Sequence, residues 1–317
     1  MKKFLLITGG VMLLLILAAG GYGYYLYDSV QETVDSQMHV ELERNESSGR
    51  EGEVNMDEFE PVSFLLIGVD SEGVQEGLSD TMIVVTVNPD EDSMRMVSLP
   101  RDTRVEIPGY DMMDKINHAY GFGGPELAIA TVENYLDIPL DYFMTVNMDG
   151  FEEMVDSVGG VTVENPFAFD QNSIDFEEGE LDLNGKEALA YVRMRSEDPR
   201  GDMGRNERQR QVVNALVDEG AQFSSITRVE SILDAVGSNV VTNLDFAKMR
   251  KLFDNYASAR HNQDTLEIEG SGETIDGIWY LQVPDEERER VSSELRAHLE
   301  LDDAENDGVA ASSEEDE

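Results

Sequence analysis

Six of the chain's 23 basic residues fall within one window of 18: Arg193, Arg195, Arg200, Arg205, Arg208 and Arg210. An even spread along the chain would leave about one there, so the cluster is a signal and not background. All six are arginine, whose planar fork holds phosphate oxygens bidentately and stays charged at any working pH. Like charges gathered away from water are costly without an anion between them, so the cluster predicts an anion site of the kind that takes phosphate oxygens. The competing account is a set of salt bridges to the abundant carboxylates.

Two aspartates supply a second element. Asp70 closes an apolar run, and Asp80 stands in Leu78-Ser79-Asp80-Thr81 just before the next. Open α/β sheets place their ligands at strand ends of this kind. Two carboxylates can hold Mg²⁺, which takes one or two of them together with substrate phosphates and water. Each aspartate alone reads equally well as a turn or cap residue. A third element is Ser98-Leu99-Pro100-Arg101-Asp102-Thr103-Arg104, followed by Lys115-Ile116-Asn117-His118-Ala119-Tyr120. Between Glu51 and Asp182 there are only four basic residues, and three of them (Arg101, Arg104, Lys115) lie here. Arg101 and Lys115 extend the cationic pocket. His118 is read as a hydrogen-bonding structural histidine in preference to a general base. Gly121-Phe122-Gly123-Gly124 lacks the Walker lysine and the Rossmann spacing, so it is a helix-opening turn.

The elements that must position these groups alternate between strand and helix. Apolar runs predict strands over 64–69, 82–87 and 94–99, the first buried on both faces. Pro125 opens a helix to about 136. A strand over 142–148, a helix over 151–158 and a strand over 161–163 follow. Segment 188–194 reads as a strand, placing Arg193 and Arg195 on one face with Leu189 and Tyr191. A helix over 205–219 carries an apolar stripe at Val212, Val213 and Leu216. Arg205 and Gln209 continue that stripe upstream and should point inward. Helices over 226–236 and 246–259 and strands over 265–268 and 278–283 complete the pattern. The order predicts one layered α-β-α domain of the α/β class with a central mixed sheet.

Residues 4–27 form an apolar run of 24 after Lys2 and Lys3, and about 20 residues cross a bilayer. The positive flank assigns 1–3 to a cytoplasmic stub and the chain beyond Tyr27 to the outside, so the expected location is a single-pass cell-membrane protein. The run is long for a cleaved signal peptide, which favours an uncleaved anchor. Residues 28–60 read as an acidic stalk, 61–300 as the domain and 301–317 as an acidic tail with nothing to bury. With 67 acidic residues against 23 basic, the net charge of −44 repels nucleic acid. It suits a solvated surface in high salt or high pH. No cysteine is present, and four scattered histidines suggest no zinc site.

Taken as a set, segments 64–70, 79–81, 98–103, 115–120, 155–163, 183–195 and 202–211 resemble the LytR-CpsA-Psr family, in order across 61–218. Ser-Leu-Pro-Arg-Asp and Tyr-Val-Arg-Met-Arg with a downstream Asp-x-x-Arg carry the resemblance. It implies a phosphotransferase that moves teichoic-acid-like or capsular glycopolymers from undecaprenyl pyrophosphate to peptidoglycan, releasing undecaprenyl phosphate. It further implies a groove for the lipid chain, Mg²⁺ on Asp70 and Asp80, and head-group contacts from Arg101, Arg193, Arg195, Arg205 and Gln209. A family arginine just before Ser-Asp-Thr is replaced here by Gly77-Leu78. The alternatives are a non-catalytic polyprenyl-pyrophosphate sensor or scaffold and a lipid pyrophosphatase. A transcription attenuator fits poorly, with three residues before the anchor.

Overall fold

The computed structural model describes residues 28, 31–42, 50, 52–71, 73–74, 77–221, 237 and 239–301. The expected anchor (4–27), the helix expected over 226–236 and the tail from 302 lie outside the described residues. The apolar sequence runs become strands β1 (Val62–Val69), β2 (Ser79–Asn88) and β3 (Ser93–Ser98). A hairpin of β4 (Arg104–Ile107) and β5 (Met112–Lys115) leads into helix α1 (His118–Leu136). Gly123 and Gly124 break α1, and the second of them has φ +63, so the helix restarts at Pro125 as the sequence predicts. Then come β6 (Tyr142–Val146), α2 (Met148–Val158), β7 (Val161–Asn165), β8 (Phe169–Gln171), β9 (Ile174–Phe176) and β10 (Gly179–Leu183). Helices α3 (Gly185–Arg193) and α4 (Asp202–Ala221) follow, then β11 (Val240–Thr242), α5 (Phe246–Tyr256), β12 (Gln263–Leu266), β13 (Ser271–Ile275), β14 (Ile278–Gln282) and α6 (Asp285–His298).

Six strands build a mixed sheet in the order β11-β6-β1-β2-β3-β12. β1 runs parallel to β6 and antiparallel to β2, and β12 runs parallel to β3. Strand alternation sends Leu65, Ile67, Val69, Met82, Val84 and Val97 to one face, where Ala128, Ile129 and Val132 of α1 and Val291 and Leu295 of α6 cover them. Val62, Ile83, Val85 and Met96 point to the other face, against Tyr256 at the end of α5. A second core joins α2, β7–β10, α3 and α4 through Val155, Val163, Phe169, Phe176, Tyr191 and Val212. Helices therefore flank both faces of a mixed sheet, as expected.

Two expectations are corrected. Segment 188–194 is helix α3, not a strand. Asn184 and Glu187 form a reciprocal capping box, each side chain accepting from the other's backbone N–H at 3.0 Å. The buried residues Ala188, Tyr191 and Val192 follow the i, i+3, i+4 spacing of a helix. The period of two across Leu189, Tyr191 and Arg193 was coincidental. The second correction concerns the stalk, because parts of 28–60 pack on the domain. Val34 and Met38, one helical turn apart, are buried against Val240, and Val40 N–H donates to the Thr242 carbonyl at 2.9 Å. Met56 is buried beside Leu244 and Tyr256. A few apolar residues at helical spacing suffice to dock an otherwise polar segment.

Candidate active site

Register places the two aspartates together. Val69 pairs with Ser79 where β1 and β2 meet, so Asp70 and Asp80, each the next residue, stand at one end of the sheet. The connection between them is tied down from α1: the Tyr120 hydroxyl donates to the Val74 carbonyl, and Leu78 packs on Gly121, where an added Cβ would come within 2.8 Å.

Beyond β3 the chain turns sharply at Pro100, whose carbonyl accepts from Thr103 N–H at 2.9 Å and from its hydroxyl at 2.6 Å. Asn117 N–H and Leu281 N–H grip the turn at the carbonyls of Arg101 and Asp102. So held, Arg101 donates to Asp80 at 2.5 Å, and Lys115 donates to Asp102 at 2.5 Å. Burial pulls the Arg101 pKa down, but the hydrogen bond and charge of Asp80, with Asp102 and Asp202, lift it above the ordinary arginine value.

The arginine run arrives from the opposite side. Arg193 ends α3, with Nη2 3.8 Å from Asp70 and Nη1 3.2 Å from the Met148 sulfur. Arg195 lies in the following loop, its Nε 3.6 Å from Asp202, the first residue of α4. Arg205, one turn into α4, reaches the same Asp202 oxygen at 2.8 Å. As the stripe predicted, Arg205 is buried, at 8% exposed, and Gln209 is half-buried. Desolvation lowers the Arg205 pKa. Asp202 opposes this, Arg101 adds to it, Asp80 opposes, and Arg195 adds again. The Arg205 Nε is buried without a hydrogen-bond partner among the described residues. Arg208 Nε and Nη1 are likewise without a hydrogen-bond partner but face aromatic rings, so it is Arg205, beside Arg195 and Asp202, whose incompletely satisfied guanidinium fits an anion site.

The other half of the run does something else. Arg208 is 2% exposed and donates to Asp198 at 2.7 Å, a carboxylate that is itself fully buried. Three rings, Phe167, Phe169 and Tyr191, surround its guanidinium at 5.4, 5.2 and 5.7 Å. Gly204 is required beside this pair, since a Cβ there would meet the Asp198 carboxylate at 1.8 Å. Arg200 pairs with Asp198 and Glu207. Arg210 donates to the Ser98 hydroxyl at 2.9 Å, clamping α4 to the end of β3 where the Arg101 turn begins. The six arginines therefore divide: Arg193, Arg195 and Arg205 gather around Asp70 and Asp202, while Arg200, Arg208 and Arg210 are engaged by Asp198, Glu207 and Ser98. His118 Nδ1 lies 2.9 Å from Asp114, the structural role expected of it.

Sequence reasoning missed the hub role of Asp202, whose i, i+3 spacing to Arg205 at a helix start was the available signal. An open cleft of about 510 Å³ adjoins the site, lined by Gln171, Arg193, Arg195, Ser196, Asp198, Pro199 and Gly201. Asp70 and Asp80 offer hard oxygen donors of the type Mg²⁺ prefers, both partly exposed. No group of three acidic or histidine ligands occurs among the described residues, so a cation here would draw remaining ligands from substrate or water.

With this geometry in view, comparison with known proteins is informative. The LytR_cpsA_psr family model matches residues 24–297. The polyisoprenyl-teichoic acid–peptidoglycan teichoic acid transferase TagU of Halalkalibacterium halodurans is 52% identical over 304 residues, covering 95% of this chain and 100% of that protein. The crystal structure of Bacillus subtilis TagU superimposes with a TM-score of 0.64 at 44% identity, over 76% of this chain and 97% of the other. A structure of TagT bound to LI-WTA gives a TM-score of 0.71 at 30% identity, over 82% of this chain and 99% of that one.

Proposed function

The chain belongs to the LytR_cpsA_psr family, and on that premise we propose that it transfers a glycopolymer from a polyisoprenyl pyrophosphate carrier to peptidoglycan. The polymer class is teichoic-acid-like or capsular, and the released product is polyisoprenyl phosphate. The observation that carries this reading is the convergence of Arg101, Arg195 and Arg205 on Asp80 and Asp202 in a chain of net charge −44. The domain stands outside the membrane behind the apolar segment 4–27, where carrier and wall are both within reach.

The reaction is a phosphoryl transfer. A sugar hydroxyl of peptidoglycan attacks the phosphorus that bears the polymer, forming a new P–O bond as the bond to the lipid phosphate breaks. The hydroxyl proton passes to a carboxylate of the site. Catalysis of this kind rests on positioning and on charges aimed where negative charge develops. Arg205, buried and fixed by Asp202, holds the pyrophosphate, and Arg101, Arg193 and Arg195 close around its oxygens. Lys115 acts through Asp102, which shapes the Arg101 turn. Gln209, one turn beyond Arg205, lines the inner wall. Asp70 and Asp80 would hold Mg²⁺, which supplies charge neutralisation on the phosphates when bound. Water in place of the sugar gives a pyrophosphatase side reaction.

The test uses the full chain in lipid vesicles with a lipid-pyrophosphate-linked saccharide, Mg²⁺ and peptidoglycan fragments. Polyprenyl phosphate release and saccharide-phosphate transfer are followed together, and equal amounts of both are expected. Release with hydrolysed saccharide alone would replace the reading with a lipid pyrophosphatase. Binding with neither product would leave a binding protein.

A further inference from the structure

The site is assembled from two halves, each tied together by its own ion pairs. One half is the end of the sheet with the turn after β3, where Arg101 donates to Asp80 and Lys115 to Asp102. The other is the start of α4 with the loop before it, where Asp202 holds Arg205 at 2.8 Å and Arg195 at 3.6 Å. The halves act on each other electrostatically: the charge of Asp202 bears on Arg101, and those of Arg101 and Asp80 bear on Arg205. With arginine on both sides the gap is under repulsion, so its width must be held by something outside it.

Among the described residues, two polar side-chain contacts cross from α3 and α4 to β1–β3 and the Arg101 turn. The first is Arg193 to Asp70 at 3.8 Å, with both side chains about half exposed. A solvated pair of that kind contributes little, and an entering phosphate competes for it. The second is Arg210, a buried side chain whose Nη1 donates to the buried Ser98 hydroxyl at 2.9 Å. Ser98 is the last residue of β3, three before Arg101, and Arg210 lies five residues beyond Arg205 on α4. One hydrogen bond away from water thus joins the element that carries Arg101 to the element that carries Arg205. Burial pushes the Arg210 pKa down, against the charges of Glu267 at 3.8 Å and of Glu207. The reaction proposed above gives this buried cation no part, yet the fold bears the cost of desolvating it.

We propose that Arg210 is a positioning residue, whose bond to Ser98 sets the gap between Arg101 and Arg205 to the width of two linked phosphates. Arg210 acts through the two elements it joins and does not touch the substrate. A pyrophosphate must meet both halves at once, so an error of about 1 Å in their spacing is felt, at a cost of up to about 10²-fold. A single phosphate can be held by Arg205 and Arg195 alone and is indifferent to the gap. The inference rests on the proposed function only in taking the ligand to be a pyrophosphate.

The test compares two anions on the full chain, inorganic pyrophosphate and inorganic orthophosphate, with binding of each measured by calorimetry. Ser98→Ala removes one hydroxyl and leaves every arginine and aspartate of the site in place. It is expected to weaken pyrophosphate binding by about tenfold and orthophosphate binding by less than about twofold. Arg210→Lys keeps the charge but loses the guanidinium fork, so it should show the same selective loss. Combined with Ser98→Ala it should add little, because both changes cut one bond. Equal weakening of the two anions would mean a merely structural role and overturns the inference. Unchanged pyrophosphate binding in Ser98→Ala, or losses that multiply in the double variant, also overturns it. Neither readout depends on turnover. A parent chain that binds neither anion fails the pyrophosphate reading itself and takes the inference with it, whereas a parent that binds both and a Ser98→Ala variant that does not discriminate remove the inference alone.

Discussion

Two arginine–aspartate assemblies lie within one run of sequence and differ in every respect that matters physically. Arg208 and Asp198 are sealed from solvent at 2.7 Å inside three aromatic rings. Arg193 and Arg195 meet Asp70 and Asp202 at 3.8 and 3.6 Å beside an open cleft, and Arg205, buried behind them, holds Asp202 at 2.8 Å. The sealed pair has no room for a ligand. Its low-dielectric surroundings make it costly to break, and it fixes the loop between α3 and α4 on which Arg195 sits. Arg193 and Arg195 hold their carboxylates at longer range, where incoming phosphate oxygens can compete for them. Charge count alone therefore identifies neither role; burial and partner geometry do.

The comparison breaks most directly at the sealed pair. Arg208→Ala leaves the buried Asp198 with only the longer contact to the Arg200 guanidinium and should cost about 3–5 kcal/mol of stability, read by denaturant unfolding. A loss under about 1 kcal/mol would mean that the pair braces nothing. On the open side, Arg205→Ala should lower turnover by roughly 10²–10³-fold with little change in unfolding midpoint. Loss of fold and activity together would place Arg205 in the bracing group. Asp80→Ala should abolish the response to Mg²⁺, while an unchanged metal titration would refute that role for Asp80. A smaller effect comes from a third buried polar group. His298 is held between the hydroxyls of Thr86 and Ser93 at 2.7 and 2.8 Å, clipping the end of α6 to β2 and β3. Burial, with Arg95, pushes its pKa down to about 4. The unfolded chain takes up this proton near pH 6.5 and the folded one only near 4, so its contribution is complete above about pH 6.5 and declines as pH falls toward 4. His298→Gln should flatten that part of the stability profile, and an unaltered slope would remove His298 from the account.

How much of this was legible depends on where the decisive partner lay. The three sheet strands and the inward aim of Arg205 follow from local apolar periodicity, and the structure reproduces them. Arg101 stood out as a rare basic residue beside proline, although the turn that aims it at Asp80 was not read from the sequence. Helix α3 was misread because Leu189, Tyr191 and Arg193 mimic a period of two, although Asn184 and Glu187 spelled out its capping box. Arg208 was counted in the cluster with no role of its own, because two of its rings, Phe167 and Phe169, lie some forty residues upstream. No local pattern brings them together. The docking of Val34 and Met38 was hidden in the same way, since their partner Val240 is some two hundred residues away. Long-range contacts decide which arginine is braced and which is open.

The central claim is that position, and not the number of positive charges, makes the anion site. Arg193 and Arg200 belong to the same run and are almost equally exposed, at 43% and 47% of the side chain. Turnover of the vesicle-embedded donor by Arg193→Ala and Arg200→Ala, measured side by side, tests the claim most directly. Arg193→Ala should lose activity by roughly 10²-fold or more, and Arg200→Ala should stay within a few-fold of the parent. Equal losses in both would show that the cluster acts as a diffuse positive field, and the assignment of Arg193 to the pyrophosphate would fall.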